Sequence, residues 1–279
     1  MRSVCVIVLL FTLHLCRAAE PVLGPEEIPF GFQDGFIWID VCVNGSRACL
    51  HFLLDSGAQV SVLSEATARR LGLKGGRRVS VESVGGRTTG FWPRRLQARA
   101  GSISLPRDFL ILNLQKLSDA CTNAVVDGII GADFFRDRIV QIDFRQRFVR
   151  VLRDPPVETG TEVLPLKVRR CGMLVSIQVN DAPVEWVRLD TGCASPLQWV
   201  SSSVPPERCT QRIAVALTQI PVPVTNTSVN LGGHRFEGVP TDIHTQPIFA
   251  GEKGLLGNGL LCQYNTVTLD PRRGKLFLR

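Results

Sequence analysis

Twice in this chain an apolar strand runs straight into a carboxylate, a hydroxyl and a glycine. The first passage is Leu53-Leu54-Asp55-Ser56-Gly57-Ala58, and the second, 135 residues on, is Val187-Arg188-Leu189-Asp190-Thr191-Gly192-Cys193. An apolar run that stops so abruptly puts an acid on a tight turn at the tip of a buried strand. Burial raises the cost of ionising a carboxylate, and two such acids sharing a site would hold one proton between them, one as acid and one as base. The duplication begins before the acid. Phe36-Ile37-Trp38-Ile39-Asp40-Val41-Cys42-Val43, an Asn44-Gly45 turn and Cys49-Leu50-His51-Phe52 lead to Asp55 as strand, turn, strand. Met173 to Val179, Asn180-Asp181 and Val184 to Leu189 lead to Asp190 in the same way, so the recurring unit is larger than three letters.

Each acid has a distant companion. Val126-Asp127-Gly128-Ile129-Ile130-Gly131 follows the first and Gly254-Leu255-Leu256-Gly257 the second: two bulky apolar residues, then a glycine where another backbone must come close. In this ordered set the chain resembles the aspartic proteases, where Asp-Thr/Ser-Gly and a later apolar-apolar-Gly make one lobe and two lobes share an active site. The nearer likeness is to the retroviral-type and bacterial retropepsin-like branch. It rests on Ala58 after the glycine and on Glu65-Ala66-Thr67-Ala68-Arg69-Arg70-Leu71-Gly72-Leu73, which is similar to that branch's short helix. The resemblance covers most of residues 36–279. It implies an all-β, bilobal fold, two duplicated lobes around one cleft, with Asp55 and Asp190 as the catalytic pair. It also implies that the Ser56 and Thr191 hydroxyls cross-brace the two loops, and that Gly57 and Gly192 let backbone amides approach the carboxylates.

The remaining stretches fit around this frame. Residues 64–71 are helical in pattern with Gly72 as a stop. Val79 to Trp92 alternates around Gly85-Gly86 and reads as a β-hairpin; by position it resembles the flap that closes over substrate in these proteases. The tyrosine of pepsin-like flaps is absent, since Tyr264 is the one tyrosine in the chain. The equivalent second-half stretch, Ile213 to Pro223, lacks the glycine pair and carries two prolines that limit sheet pairing, so no equal flap is expected there. Residues 139–143 with 148–151, and 266–270 with 275–278, read as closing hairpins, with Asp143 and Asp270 as turn residues at exposed strand ends. Arg153 to Gly160 has linker composition. The expected division is a leader at 1–18, one lobe at 19–152, a linker at 153–162 and a second lobe at 163–279. Gly257-Asn258-Gly259 has no strand–helix unit around it and does not read as a dinucleotide site.

A basic start, an apolar run from Val4 to Leu15 and small residues near Ala18 read as a secretory signal peptide, too short to span a bilayer comfortably. This predicts a periplasmic or secreted protein without stable membrane insertion. Net charge is +7, and +5 (30 basic against 25 acidic residues) once Arg2 and Arg17 leave with the leader. The basic pairs are scattered and not interleaved with aromatics, which argues against a nucleic-acid partner. No spacing of cysteine or histidine suits a metal, and no cofactor is expected. Cys5 and Cys16 fall in the leader, leaving seven cysteines, an odd number. Cys42 and Cys49 face each other if residues 44–47 all form the loop, whereas a two-residue turn would set Cys42 opposite Arg47. Cys193 stands where Ala58 stands in the first half. It reads either as a small buried apolar residue or as a thiol open to oxidation or to a disulfide with Cys209, which would leave the second site structural.

The chemistry expected is hydrolysis of a polypeptide substrate by a water activated between Asp55 and Asp190, in a monomer, with no covalent intermediate. Two other readings stay open: a non-catalytic relative that binds an extended segment as an added strand, and a dimer in which lobes pair between chains.

Overall fold

The computed structural model describes residues 26–43, 49–83, 86–93, 96–121, 124–156, 159–169, 172–202, 210–215 and 218–279. The leader, the Asn44-Gly45 turn, Gly85 and Cys209 lie outside the described residues. The fold is all-β, with short helices only. Among the described residues no helix is long and apolar enough to cross a membrane.

The two halves are joined through one antiparallel sheet of six strands. In spatial order these are Glu26–Gln33, Phe148–Leu152, Ile139–Asp143, Thr266–Asp270, Lys275–Leu278 and Glu162–Arg169, three from each half. The central seam pairs Val140 with Leu269 and Ile142 with Val267. All five residues of Ile139–Asp143 are buried, as expected of a strand covered on both faces. Gln141 meets Thr268 at this seam and donates to its hydroxyl (3.3 Å), so the polar pair at the middle is satisfied within the sheet.

The expected closing hairpins form here. Asp143 and Asp270, expected at exposed strand ends, are instead buried at 6% and 0% exposure. The reason is the turn itself. Each carboxylate accepts the backbone amide three residues on (Gln146, 2.7 Å; Arg273, 3.0 Å) and an arginine (Arg150, 2.6 Å; Arg273, 2.9 Å), which compensates burial of the charge.

Each half then repeats one strand pattern. Phe36–Val43 pairs antiparallel with Leu50–Leu54, which runs parallel to Gly128–Ile130; that strand is antiparallel to Val62–Ser64, itself parallel to Leu110–Leu112. In the second half Gly172–Val179, Glu185–Asp190, Gly254–Gly257, Leu197–Val200 and His234–His244 pair in the same order and sense. Because side chains alternate along a strand, one face of each unit feeds the main core (Phe52, Leu54, Leu63 and Ile130; Val187, Leu189, Leu197 and Leu256) and the other carries the acid-bearing side.

Two expectations need correction. The second-half stretch with Pro221 and Pro223 is paired: Thr210–Val215 lies antiparallel to Thr218–Leu231, with Gln211 opposite Val222. The prolines stand two apart, so their ring nitrogens turn to one edge of the strand and leave the other edge free to pair. Among the described residues, 218–223 are paired on one side only, as an edge strand is. On the first side, the hairpin Arg77–Ser83 with Gly86–Trp92 forms and starts two residues earlier than expected. The pairing of Val41 with Leu50 also sets Cys42 opposite Cys49, with sulfurs 3.8 Å apart, the register of the longer loop.

Ser64 caps the helix Glu65–Arg70, accepting the Thr67 amide (3.0 Å). Asp127 ties that helix to the strands: it accepts from Thr67 Oγ1 (2.5 Å), Arg70 (2.7 Å) and the His51 amide (3.0 Å). Burial acts to raise the Asp127 carboxyl, but these donors outweigh it and hold its pKa below the usual value. A depressed folded-state pKa stabilises above the unfolded carboxylate range and loses that contribution as pH falls through the folded value. Replacing Asp127 by Ala should destabilise the fold by about 2–4 kcal/mol, since it strands buried donors. Urea melts from neutral to acid pH should show the deficit shrinking as the wild-type carboxylate protonates.

Candidate active site

The two acids arrive at one place because each caps a strand in the duplicated units. The Asp55 amide donates to Ile130 O (2.9 Å), and Asp190 pairs with Gly257 at the equivalent rung. The turns that follow are locked to each other by a reciprocal set of hydrogen bonds. The Ser56 amide donates to Thr191 Oγ1 (2.9 Å) and the Thr191 amide to Ser56 Oγ (3.0 Å). The hydroxyls then donate onward, Ser56 Oγ to Leu189 O (2.8 Å) and Thr191 Oγ1 to Leu54 O (2.9 Å). Both side chains are fully buried, so each hydroxyl acts as donor and acceptor with no water in between.

Gly57 and Gly192 leave room for the opposite acid. A Cβ on Gly57 would collide with the Asp190 carboxylate, and one on Gly192 with the Asp55 carboxylate. Gly131 and Gly257 do the same for backbone, at Val60 and Ser195. Behind the second turn, the Asn258 side chain donates to Thr191 O (2.7 Å) and to Gly35 O (2.8 Å), linking that turn to the first half. Sequence reasoning set Gly257-Asn258-Gly259 aside. The one available signal was an amide directly after the second glycine, where the first half has Ala132.

The two carboxyls are not equivalent. Asp55 Oδ1 accepts the Gly57 and Ala58 amides (2.9 Å each), whereas Asp190 Oδ1 accepts Gly192 alone (2.9 Å). Burial pushes both pKa values up. For Asp55 the amides of Ala58 and Gly57 and the bond with Asp190 oppose the rise; for Asp190 the charge of Asp55 adds to it, carrying it well above the carboxylate range. The donors on Asp55 and the charge it would carry both act to favour a proton on Asp190.

Arg188, two residues before Asp190, turns to Glu252. The guanidinium makes two bonds to that carboxylate (2.8 and 2.5 Å) and stacks on Phe249, 3.7 Å from the ring centroid. It draws down both dyad carboxyls, though as the smallest of the effects on each. Glu252 was not singled out from sequence, although a lone arginine inside an apolar strand requires a partner. Cys193 is a free, buried thiol that accepts a hydrogen bond from Gln198 Nε2 (3.2 Å) and packs against Gly257. Burial holds it well above the ordinary thiol range, where it is protonated and unreactive.

On the side of Leu50–Leu54 away from the main core, Leu53, Val62, Leu110, Leu112 and Ile129 form an apolar cluster. Val79 and Val81 of the Arg77–Trp92 hairpin pack on it, as do Ala58, Val60 and Ala194 from the two acid-bearing turns. Gly90 lets the hairpin lie close to Leu110 and Leu112. Of the two hairpin glycines, Gly86 pairs with Ser83 beside the tip, and Gly85 is not described.

Residues 39–134 match the family model for aspartyl proteases, a stretch that holds Asp55, the hairpin and Gly131. The first half of the chain is thus similar to an aspartyl protease. The match is well under half of the chain and ends before Asp190. No curated protein matches the chain.

Replacing Thr191 by Val keeps the shape but removes the donor to Leu54 O and the acceptor of the Ser56 amide. The expected loss is about 2–4 kcal/mol in denaturant unfolding, because two buried groups lose their partners, while Thr191→Ser should stay close to wild type.

Proposed function

We propose that the chain is an aspartic endopeptidase in which one protein molecule supplies both acids. The observation that carries the reading is the reciprocal lock of Ser56 and Thr191, which holds two buried, unequal carboxyls so close that each needs a glycine opposite. Ionised Asp55 takes a proton from a water as its oxygen attacks the peptide carbonyl, and Asp190 gives its proton to the carbonyl oxygen. The resulting diol collapses as Asp190 takes back a hydroxyl proton, the C–N bond breaks and Asp55 protonates the leaving amine. Both acids return to their starting states. The donors on Asp55 favour its role as base, and the charge of Asp55 favours Asp190 as acid.

The strand repeat supports two lobes, 19–152 and 163–279, joined by the linker 153–162, with the Arg77–Trp92 hairpin closing over an extended peptide. Both acids lie in one chain, which supports a monomer. The apolar run from Val4 to Leu15 supports action outside the cytoplasm.

Asp55→Asn and Asp190→Asn should each lower peptide cleavage by at least about 10²-fold with unchanged folding, and the double variant should be no worse than either, since the pair shares one proton. Substantial activity in Asp190→Asn would overturn the shared site. A statine-type inhibitor should block cleavage, a chelator should not, and specific activity should not fall on dilution.

The pH profile should be bell-shaped. As pH falls, Asp55 protonates and the base is lost; as pH rises through the raised Asp190 value, both acids ionise and the proton donor is lost. Neither Ala58 nor Cys193 supplies a hydroxyl to stabilise the anions, so the optimum is expected in the mildly acidic range. A rate profile that is flat from about pH 4 to about pH 9 would overturn the dyad mechanism.

A further inference from the structure

The strand register aligns the walls of the two halves residue by residue. In the first half Leu53, Ile129, Val62 and Leu110 stand in one row across four neighbouring strands, with Leu112 two residues beyond Leu110. In the second half the same pairings give Arg188, Leu255, Gln198 and Asp242, with His244 two residues beyond Asp242. Only the Ile129/Leu255 position is apolar in both. Leu53, Val62, Leu110 and Leu112 are replaced by Arg188, Gln198, Asp242 and His244, all of them as buried as their apolar counterparts.

Burying four polar side chains where four apolar ones would fit costs stability, and buried polar atoms as a rule find partners. Here several do not. Among the described residues, Arg188 Nη1, Gln198 Oε1 and His244 Nε2 are buried without a hydrogen-bond partner. Both rows lie on the face of their strands that carries the acid, since Leu53 and Arg188 stand two residues before Asp55 and Asp190. The guanidinium also acts on both dyad carboxyls.

We propose that these atoms are the half of a substrate-recognition surface that selects a neutral polar side chain, of the carboxamide type, on one side of the scissile bond, while the first wall selects an apolar one on the other. The proposal rests on the peptidase reading and names its substrate class. The duplicated halves meet at the dyad, so a peptide lying across it presents one flanking residue to each wall. A primary amide accepts from Arg188 Nη1 and donates to Gln198 Oε1. An acidic side chain would meet the carboxylates of Glu252 and Asp242, and a basic one the guanidinium of Arg188, so charged residues are disfavoured. Burial holds the His244 imidazole towards its neutral form, which adds no charge to this wall.

The test is cleavage-site profiling of the full-length protein on a proteome-derived peptide library, read by mass spectrometry. Asn or Gln should be enriched about tenfold at one of the two residues flanking the cut, with apolar residues at the other. Gln198→Val and His244→Leu, each made separately, bring in a residue of the first row's kind. Either folded variant should lose that enrichment in the residual cleavage it shows. Apolar or charged residues on both sides in wild type, or enrichment unchanged in a folded variant, would overturn the substrate class and leave the peptidase reading standing. No cleavage of any peptide by wild type would overturn both.

Discussion

Everything near the two acids depends on four hydrogen bonds between Ser56 and Thr191 and the strands beneath them. Each hydroxyl receives an amide from the opposite turn and passes its own proton to a carbonyl of the opposite strand. A change in the distance between the halves would therefore break four buried bonds together. The lock thereby ties the spacing of Asp55 and Asp190 to the spacing of the two turns. The six-stranded sheet brings the halves together, and this lock sets their register at the site.

With the spacing fixed, electrostatics does the rest. Two carboxyls that each fill the space a Cβ on the other's glycine would need cannot both be charged at modest cost. An extra amide on Asp55 makes the two carboxyls unequal and favours the charge on that side. The buried Arg188–Glu252 pair bears on this balance from behind. Its geometry commits the guanidinium to Glu252 and Phe249, while its charge still acts to lower both carboxyls.

Much of this was legible because it is written in local pattern. Period-two alternation before Asp55 and Asp190, the glycine after each hydroxyl and the later Gly131 and Gly257 all report backbone constraints that act within a few residues. The closing hairpins and the Ser64-capped helix were legible for the same reason. Where local rules failed, a partner distant in sequence had decided the outcome. Pro221 and Pro223 argue against a strand only if both edges need donors. Asp143 and Asp270 look exposed until the arginines that compensate them are in place. Arg188 could be seen to need a partner, but Glu252, 64 residues away, could not be named.

Residue pattern was sufficient to place two buried acids, each on a turn after a strand, in a duplicated all-β chain, because composition and periodicity act residue by residue. Long-range packing alone reveals that the two carboxyls are unequally hydrogen-bonded, that Cys193 is a buried, packed thiol, that Asn258 braces the second turn, and that one strand row is apolar and its counterpart polar. The packing of Cys193 and the polar row depend on strand register within the second half, and the brace of the second turn on contacts between halves more than a hundred residues apart. A pairing shifted by one residue would turn every one of those side chains to the other face of the sheet.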